Sequence, residues 1–330
     1  MKTYSIKYFT ITVIGANEGY TDQIYANGNQ QCSVAINVQK QVYDDSTGSY
    51  TTVPLSQSEK NSITVCMYSS DINAPLPSGW SCDTSKNQYD SGLRGQGYSA
   101  SLRSLNDGEA SSRTQTWDSI TRYIRCGTSV TPLQNYQFMA RITLDNGKTY
   151  TTHYDDGNVS FESKITICPQ RPYAIRVSEL AARRDDPYNY EYAKGKYVDV
   201  DVYYWTLPNN LKIMSDYFSG QGYATPKLVW AYAKNDSNFF MGMAMHHDVT
   251  SLTLGDIGHL PSNVDPATNI NISVGANMMR GVRYLRTDTS SGLYDNLLHW
   301  SITDNLGCVS RFVLKSNPSD SGNTLLLEQA

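Results

Sequence analysis

Apolar and polar residues alternate along most of this chain. In CSVAINVQKQV, starting at Cys32, Val34, Ile36 and Val38 fall on one side and Ser33, Ala35, Asn37 and Gln39 on the other. That period of two marks a half-buried strand. The same period places Ile63, Val65 and Met67 on one face of SITVCMYS, and Val198, Val200 and Val202 on the inner face of KYVDVDVYYW, with Asp199 and Asp201 toward water. PKLVWAYAKND, NFFMGMAMHHDV, TNINISVGANMM, GVRYLRTD and LLHWSITDNLGCVSRFVL read as further strands or hairpins. Turn residues punctuate them. Asp44, Asp45 and Gly48 end one run, and Asn146-Gly147 in LDNGKTY is the strongest short hairpin signal in the chain. Only VSELAARRDD and LPNNLKIMSDYF look helical, and no heptad or solenoid period is present.

The pattern predicts an all-β fold of tandem β-sandwiches. An immunoglobulin-like sandwich is expected over 1–105, a second small β-sandwich unit over 106–170, and a C-terminal jelly-roll-like sandwich over 171–330. The middle unit is short for a sandwich, and its strands can instead complete the first. The main boundary belongs in CPQRPYAIRV, from Cys168 to Val177, where two prolines open a new pattern. Residues 91–118, rich in Ser, Gly, Arg and Asn, read as a long loop or interdomain passage. Trp80 is placed to pin the Pro-rich loop before it.

Composition narrows the function classes. The net charge is −4 with no basic block, so no nucleic-acid partner is expected. No apolar run is long enough for a membrane-spanning helix. Near the N-terminus Thr10 and Thr12 interrupt the apolar residues, and Phe9, Ile11 and Val13 alternate. The segment therefore reads as a strand rather than a signal peptide, and cytoplasmic synthesis with non-classical release is the expectation. The six cysteines (Cys32, Cys66, Cys82, Cys126, Cys168, Cys308) show no metal-binding spacing and read as small buried side chains.

MGMAMHHD, from Met241 to Asp248, looks the most chemical. Met241, Met243, Met245 and His247 would share one strand face and are weak candidates for a copper site, but flexible methionines more often fill cores. His246 is expected on the opposite face. The pairs Asp44/Asp45, Asp155/Asp156, Asp185/Asp186 and Asp199/Asp201 read as turn or surface acids. YDDSTGS and YDDGNVS are weak calcium candidates without EF-hand spacing. No nucleophile elbow or phosphate-cradling loop occurs, so neither an enzyme nor a cofactor is expected.

Tyrosine stands out, with 25 copies against 7 phenylalanines. Tyr188, Tyr190 and Tyr192 form a ladder on one face of DDPYNYEYAKGKY, suited to intramolecular packing, to docking a second copy, or to stacking sugars. The leading expectation is a non-enzymatic structural protein that self-associates or docks with partner subunits of a fibre, appendage or particle. The alternative is a carbohydrate- or surface-binding module such as an adhesin or toxin-targeting component, with Tyr188, Tyr190, Tyr192, Trp80 and Trp230 as contact residues and a glycan as partner. A hydrolase ranks last.

Overall fold

The computed structural model describes residues 2–16, 21–93, 117–220, 223–235, 237–288, 294–295 and 297–330. It is all-β and divides into two compact units, Met1–Pro172 and Tyr173–Ala330. The division falls inside the Pro-containing segment Cys168–Val177. Most of the loop expected over 91–118 lies outside the described residues.

The N-terminal unit contains β1 (Lys2–Val13), β2 (Thr21–Tyr25), β3 (Cys32–Asp44), β4 (Ser49–Val53), α1 (Gln57–Ser62), β5 (Thr64–Met67), β6 (Trp80–Asp83), β7 (Asp118–Cys126), β8 (Tyr136–Thr143), β9 (Thr149–Thr151), β10 (His153–Asp155), β11 (Ser160–Glu162) and β12 (Ile165–Gln170). One sheet runs β1-β3-β7-β6, with β4 on β3, and a second runs β2-β12-β8-β5, with β9 on β8. Phe9, Ile11, Val34 and Ile36 of the first sheet and Ile24, Phe138, Ile142 and Ile167 of the second bury themselves in one shared core. Period two delivers this directly, because each strand has one apolar face to hide. Gly147, at φ 82°, turns β8 into β9 where the Asn-Gly pair requires it.

The segment expected to form a separate sandwich over 106–170 does not separate. β7 pairs with β3 from Cys32↔Ile124 to Val38↔Asp118, β8 pairs with β5, and β12 pairs in parallel with β2. Each sheet interleaves early and late strands. The short β2 and β5 obtain ladder partners only from the later segment. Alternation reveals which face of a strand is apolar, but not which strand lies beside it.

A short helix also escaped the strand pattern. Ser56 caps α1, and Glu59 returns the bond to the Ser56 amide, a reciprocal capping box. The buried Glu59 carboxylate then takes the Lys40 ammonium at 2.6 and 2.8 Å.

The C-terminal unit contains β13 (Ala181–Ala193), β14 (Lys196–Thr206), β15 (Ile213–Ser219), β16 (Leu228–Asn235), β17 (Phe239–Met245), β18 (Leu252–Thr253), α2 (Leu254–Ile257), β19 (Asn269–Ile270), β20 (Met278–Arg286), β21 (Tyr294–Asp295), β22 (Leu298–Asp304), β23 (Val309–Ser316) and β24 (Leu325–Gln329). A six-stranded sheet runs β13-β14-β20-β17-β16-β21, and a four-stranded sheet runs β15-β22-β23-β24. The six-stranded sheet is covered twice. Val200, Met243, Val282 and their neighbours pack under Val249, Leu252, Leu254, Ile257 and Ile270 from the segment carrying β18, α2 and β19. On the opposite face Leu325 of β24 reaches Gly242 and Gly281, where no side chain stands in its way.

Both segments expected to be helical are strands. VSELAARRDD gives one 3-10 turn, Val177–Glu179, before β13 begins. In LPNNLKIMSDYF, Asn209 and Asn210 both take positive φ, at 55° and 57°, which breaks a right-handed helix before it starts. A bulge between Ile213 and Ser215 disguises the period of β15 that follows.

Candidate functional site

The tyrosine ladder lies on the edge strand β13. Tyr188 and Tyr192 pack against the unit's own core, while Tyr190 is 48% exposed. Most of the ladder therefore covers its own sheet. Trp80 is 7% exposed and packs against Tyr136 and Phe138, with ring centroids 5.1 and 4.7 Å away, so its ring is a core element rather than a contact platform. Trp230 is half-buried between Tyr223 and His259. The structure does not gather the three tyrosines and Trp230 at one site: the tyrosines are on β13, the first strand of the six-stranded order, and Trp230 is on β16, the fifth. Trp80 belongs to the other unit.

Met241, Met243 and Met245 are fully buried in the core cluster. The histidines after them depart from the expectation. β17 ends at Met245, so strand parity no longer governs His246 and His247, and both imidazoles approach one carboxylate. Their Nδ1 atoms lie 3.2 and 3.3 Å from Oδ1 of Asp216, and the His247 amide donates to Oδ2 at 2.7 Å. Arg280 fixes this turn by donating to the carbonyls of Val249, His246 and His247. His247 thus serves the Asp216 contact between β15 and the turn, apart from the methionines.

The acids Asp199 and Asp201 also differ from the expectation of a wet face. Asp201 is fully buried, because the four-stranded sheet covers that side. Arg283 binds Asp199 at 2.6 Å and also engages Asp201, while Arg184 Nε lies 3.0 Å from Asp201 Oδ1. Asp186, beside the bulge between Asp185 and Tyr188, joins them. Burial pushes the Asp201 carboxyl up, against the pull of Arg283. Burial and then the charge of Asp199 push Asp186 up. Oxygens of Asp186, Asp199 and Asp201 come within 4.8 Å of one another, a spacing suited to a cation. Two guanidiniums already supply that positive charge, and the cluster works as an ion-pair network tying β13 and β14 to β20.

The other acid pairs sit in turns. Asp44 accepts the Ser46 amide, and Asp156 accepts the amides of Asn158 and Val159, which hold its carboxyl well below the usual range. None of the six cysteines forms a disulfide. Burial pushes Cys66 up to about 11 and Cys126 up to about 12, so both stay protonated near neutrality.

The surface with the most unusual chemistry is the outer face of the β1-β3-β7 sheet. Strand parity and register put Ser5, Tyr8, Thr10 and Thr12 of β1 beside Asn37, Gln39, Gln41 and Tyr43 of β3, then Ser119 and Thr121 of β7. None of these side chains is charged. Gln41 donates to Ser5, and Gln39 to Thr52. Tyr8 and Trp117 lie 6.0 Å apart, and Tyr43 and Tyr50 4.9 Å apart. Tyr8, Trp117 and Tyr50 present large parts of their rings to solvent. The adjoining edge of β1 is guarded: Lys7 occupies a bulge, and Ser163 Oγ both accepts from and donates to the Ile11 backbone at 3.1 Å. The alternation of apolar and polar residues marks these strands, but the aromatic pairs across the face depend on register, which alternation does not reveal.

No protein-family model matches the chain, and no curated protein matches it. Among solved structures it is similar to the C-terminal domain of the Streptococcus pyogenes antigen I/II-family protein AspA, at 9% identity over 98% of this chain and 99% of that one, with a TM-score of 0.23. A score that low establishes no shared fold.

Proposed function

We propose that this protein is a non-enzymatic structural protein that docks with copies of itself, or with partner subunits of a larger assembly, through the outer face of the β1-β3-β7 sheet. The observation that carries this reading is the uncharged, aromatic-bearing patch that β1, β3 and the start of β7 present on that face, with the Arg125–Asp83 ion pair lying beyond it toward β6. Interface centres are enriched in Tyr and Trp and poor in Lys, Glu and Asp. Uncharged faces also dock without the desolvation cost of burying ions. The bulge at Lys7 and the Ser163 bridge obstruct strand addition at the β1 edge, which favours face-to-face contact over ladder extension.

Light scattering coupled to size exclusion, with negative-stain microscopy, tests the proposal across a concentration series. Concentration-dependent oligomers are expected, and the double variant Thr10→Lys, Asn37→Lys should shift them toward monomer by charging the centre of the face. A wild-type protein that stays monomeric at high concentration and joins no assembly would sink the idea. The exposed rings of Tyr8 and Trp117 favour a second reading, a glycan-binding face. Glycan-array binding that Trp117→Ala abolishes, without oligomers, would select it.

A further inference from the structure

The four-stranded sheet of the C-terminal unit carries a different kind of surface. Its inner face holds Phe218, Trp300, Ile302 and Phe312. Its outer face opens as a groove of about 450 Å³ across β15, β22 and β23. Register sets three residues side by side along one row of this groove: Tyr217 opposite Ser301, and Ser301 opposite Arg311. The next row adds Ser215 and Thr303, and His299 stands at the far end. With strands about 4.8 Å apart, the first row sets its aromatic and cationic ends about 10 Å apart at the backbone, with a hydroxyl between them.

Two of these side chains are available to a ligand. Tyr217 is 68% exposed, so its ring packs little against the protein. Arg311 is exposed, and its guanidinium has no hydrogen-bond or ion-pair partner among the described residues; only its backbone carbonyl is engaged, by Gln329 and Ala330. By contrast Arg125, Arg184, Arg283 and Arg286 are each committed to a carboxylate. Asp216, the one acidic side chain lining the groove among the described residues, is occupied by His246 and His247.

We infer that this groove binds an acidic saccharide, with Tyr217 as the stacking platform and Arg311 as the carboxylate anchor. The C–H face of a sugar ring suits the exposed phenol ring. The sugar hydroxyls find Ser215, Ser301 and Thr303, and the planar guanidinium takes a carboxylate in two parallel bonds. The inference concerns a different unit and a different surface from the docking face, and stands or falls separately from it.

Calorimetric titration of the full chain with an oligogalacturonate tests it, with a neutral oligogalactose and a hexaglutamate peptide as comparisons. The oligogalacturonate should bind, and Arg311→Gln and Tyr217→Ala should each weaken it by about tenfold or more. Both variants should melt as the wild type does, since both side chains are exposed. The neutral oligomer should bind Arg311→Gln and wild type alike, and added salt should weaken only the acidic ligand. No binding at millimolar oligogalacturonate, affinity untouched by both substitutions, or equal binding of hexaglutamate would each overturn the assignment, the last in favour of acidic peptides.

Discussion

A buried carboxylate is tolerable only when its charge is answered, and Asp201 is answered by both Arg283 and Arg184. Removing one partner leaves an uncompensated ion in the interior. Arg283→Gln should therefore destabilise the C-terminal unit by about 3–5 kcal/mol, measured by urea unfolding. Asp186 behaves differently. Its folded carboxyl is held above the ordinary range by burial and by Asp199, so the folded state binds its proton more tightly than the unfolded chain does. Such a group favours folding at low pH, and that contribution is lost as pH rises through its folded pKa. Asp186→Asn cannot lose it. The variant should melt above wild type at pH 7, by at most about 1 kcal/mol after solvent screening, and with wild type at pH 3. Two signals in the sequence, unread in the strand pattern, could have located such residues. Lys40 occupies an inward position between Val38 and Val42, which foretells a buried partner, and Ser56 with Glu59 spells a capping box. Asp201 gave no such warning, because alternating Val and Asp reads the same whether the second face meets water or another sheet.

Among the elements, β16 and β17 show how a missing side chain shapes a layer. A Cβ on Gly242 would stand 2.1 Å from the Tyr232 ring and 2.6 Å from Leu325. The Tyr232 hydroxyl donates to the Gly322 carbonyl at 2.7 Å, so the ring cannot simply step aside. Gly242→Ala should cost about 1–3 kcal/mol or more, read from thermal melts, with loss of the buried-tyrosine near-ultraviolet signal. Strand positions were largely legible because each strand buries at least one apolar face. β15 was not, since a bulge at Met214 broke its period and two asparagines preceded it. The outer-face groove depends on that strand, so its Tyr217 was illegible as a site residue as well.

For the whole chain, the pairing ladders close within each unit: the strands of Met1–Pro172 pair among themselves, as do those of Tyr173–Ala330. Each unit also holds its own core. Residues 1–172 and 173–330 produced separately should each give dispersed amide spectra and a cooperative melt; a half that stays unfolded alone would show that its core is insufficient. Strand order within a unit could not be read from the chain, because pairing β3 with β7 joins segments separated by more than the length of either strand. The six-stranded sheet, roofed on one face by the β18–β19 segment and on the other by β24, has a consequence in time rather than in energy. Water reaches the amides of β14, β17 and β20 only when a whole layer lifts away, so these strands should be the last to take up deuterium and should set the survival time of the unit against proteases.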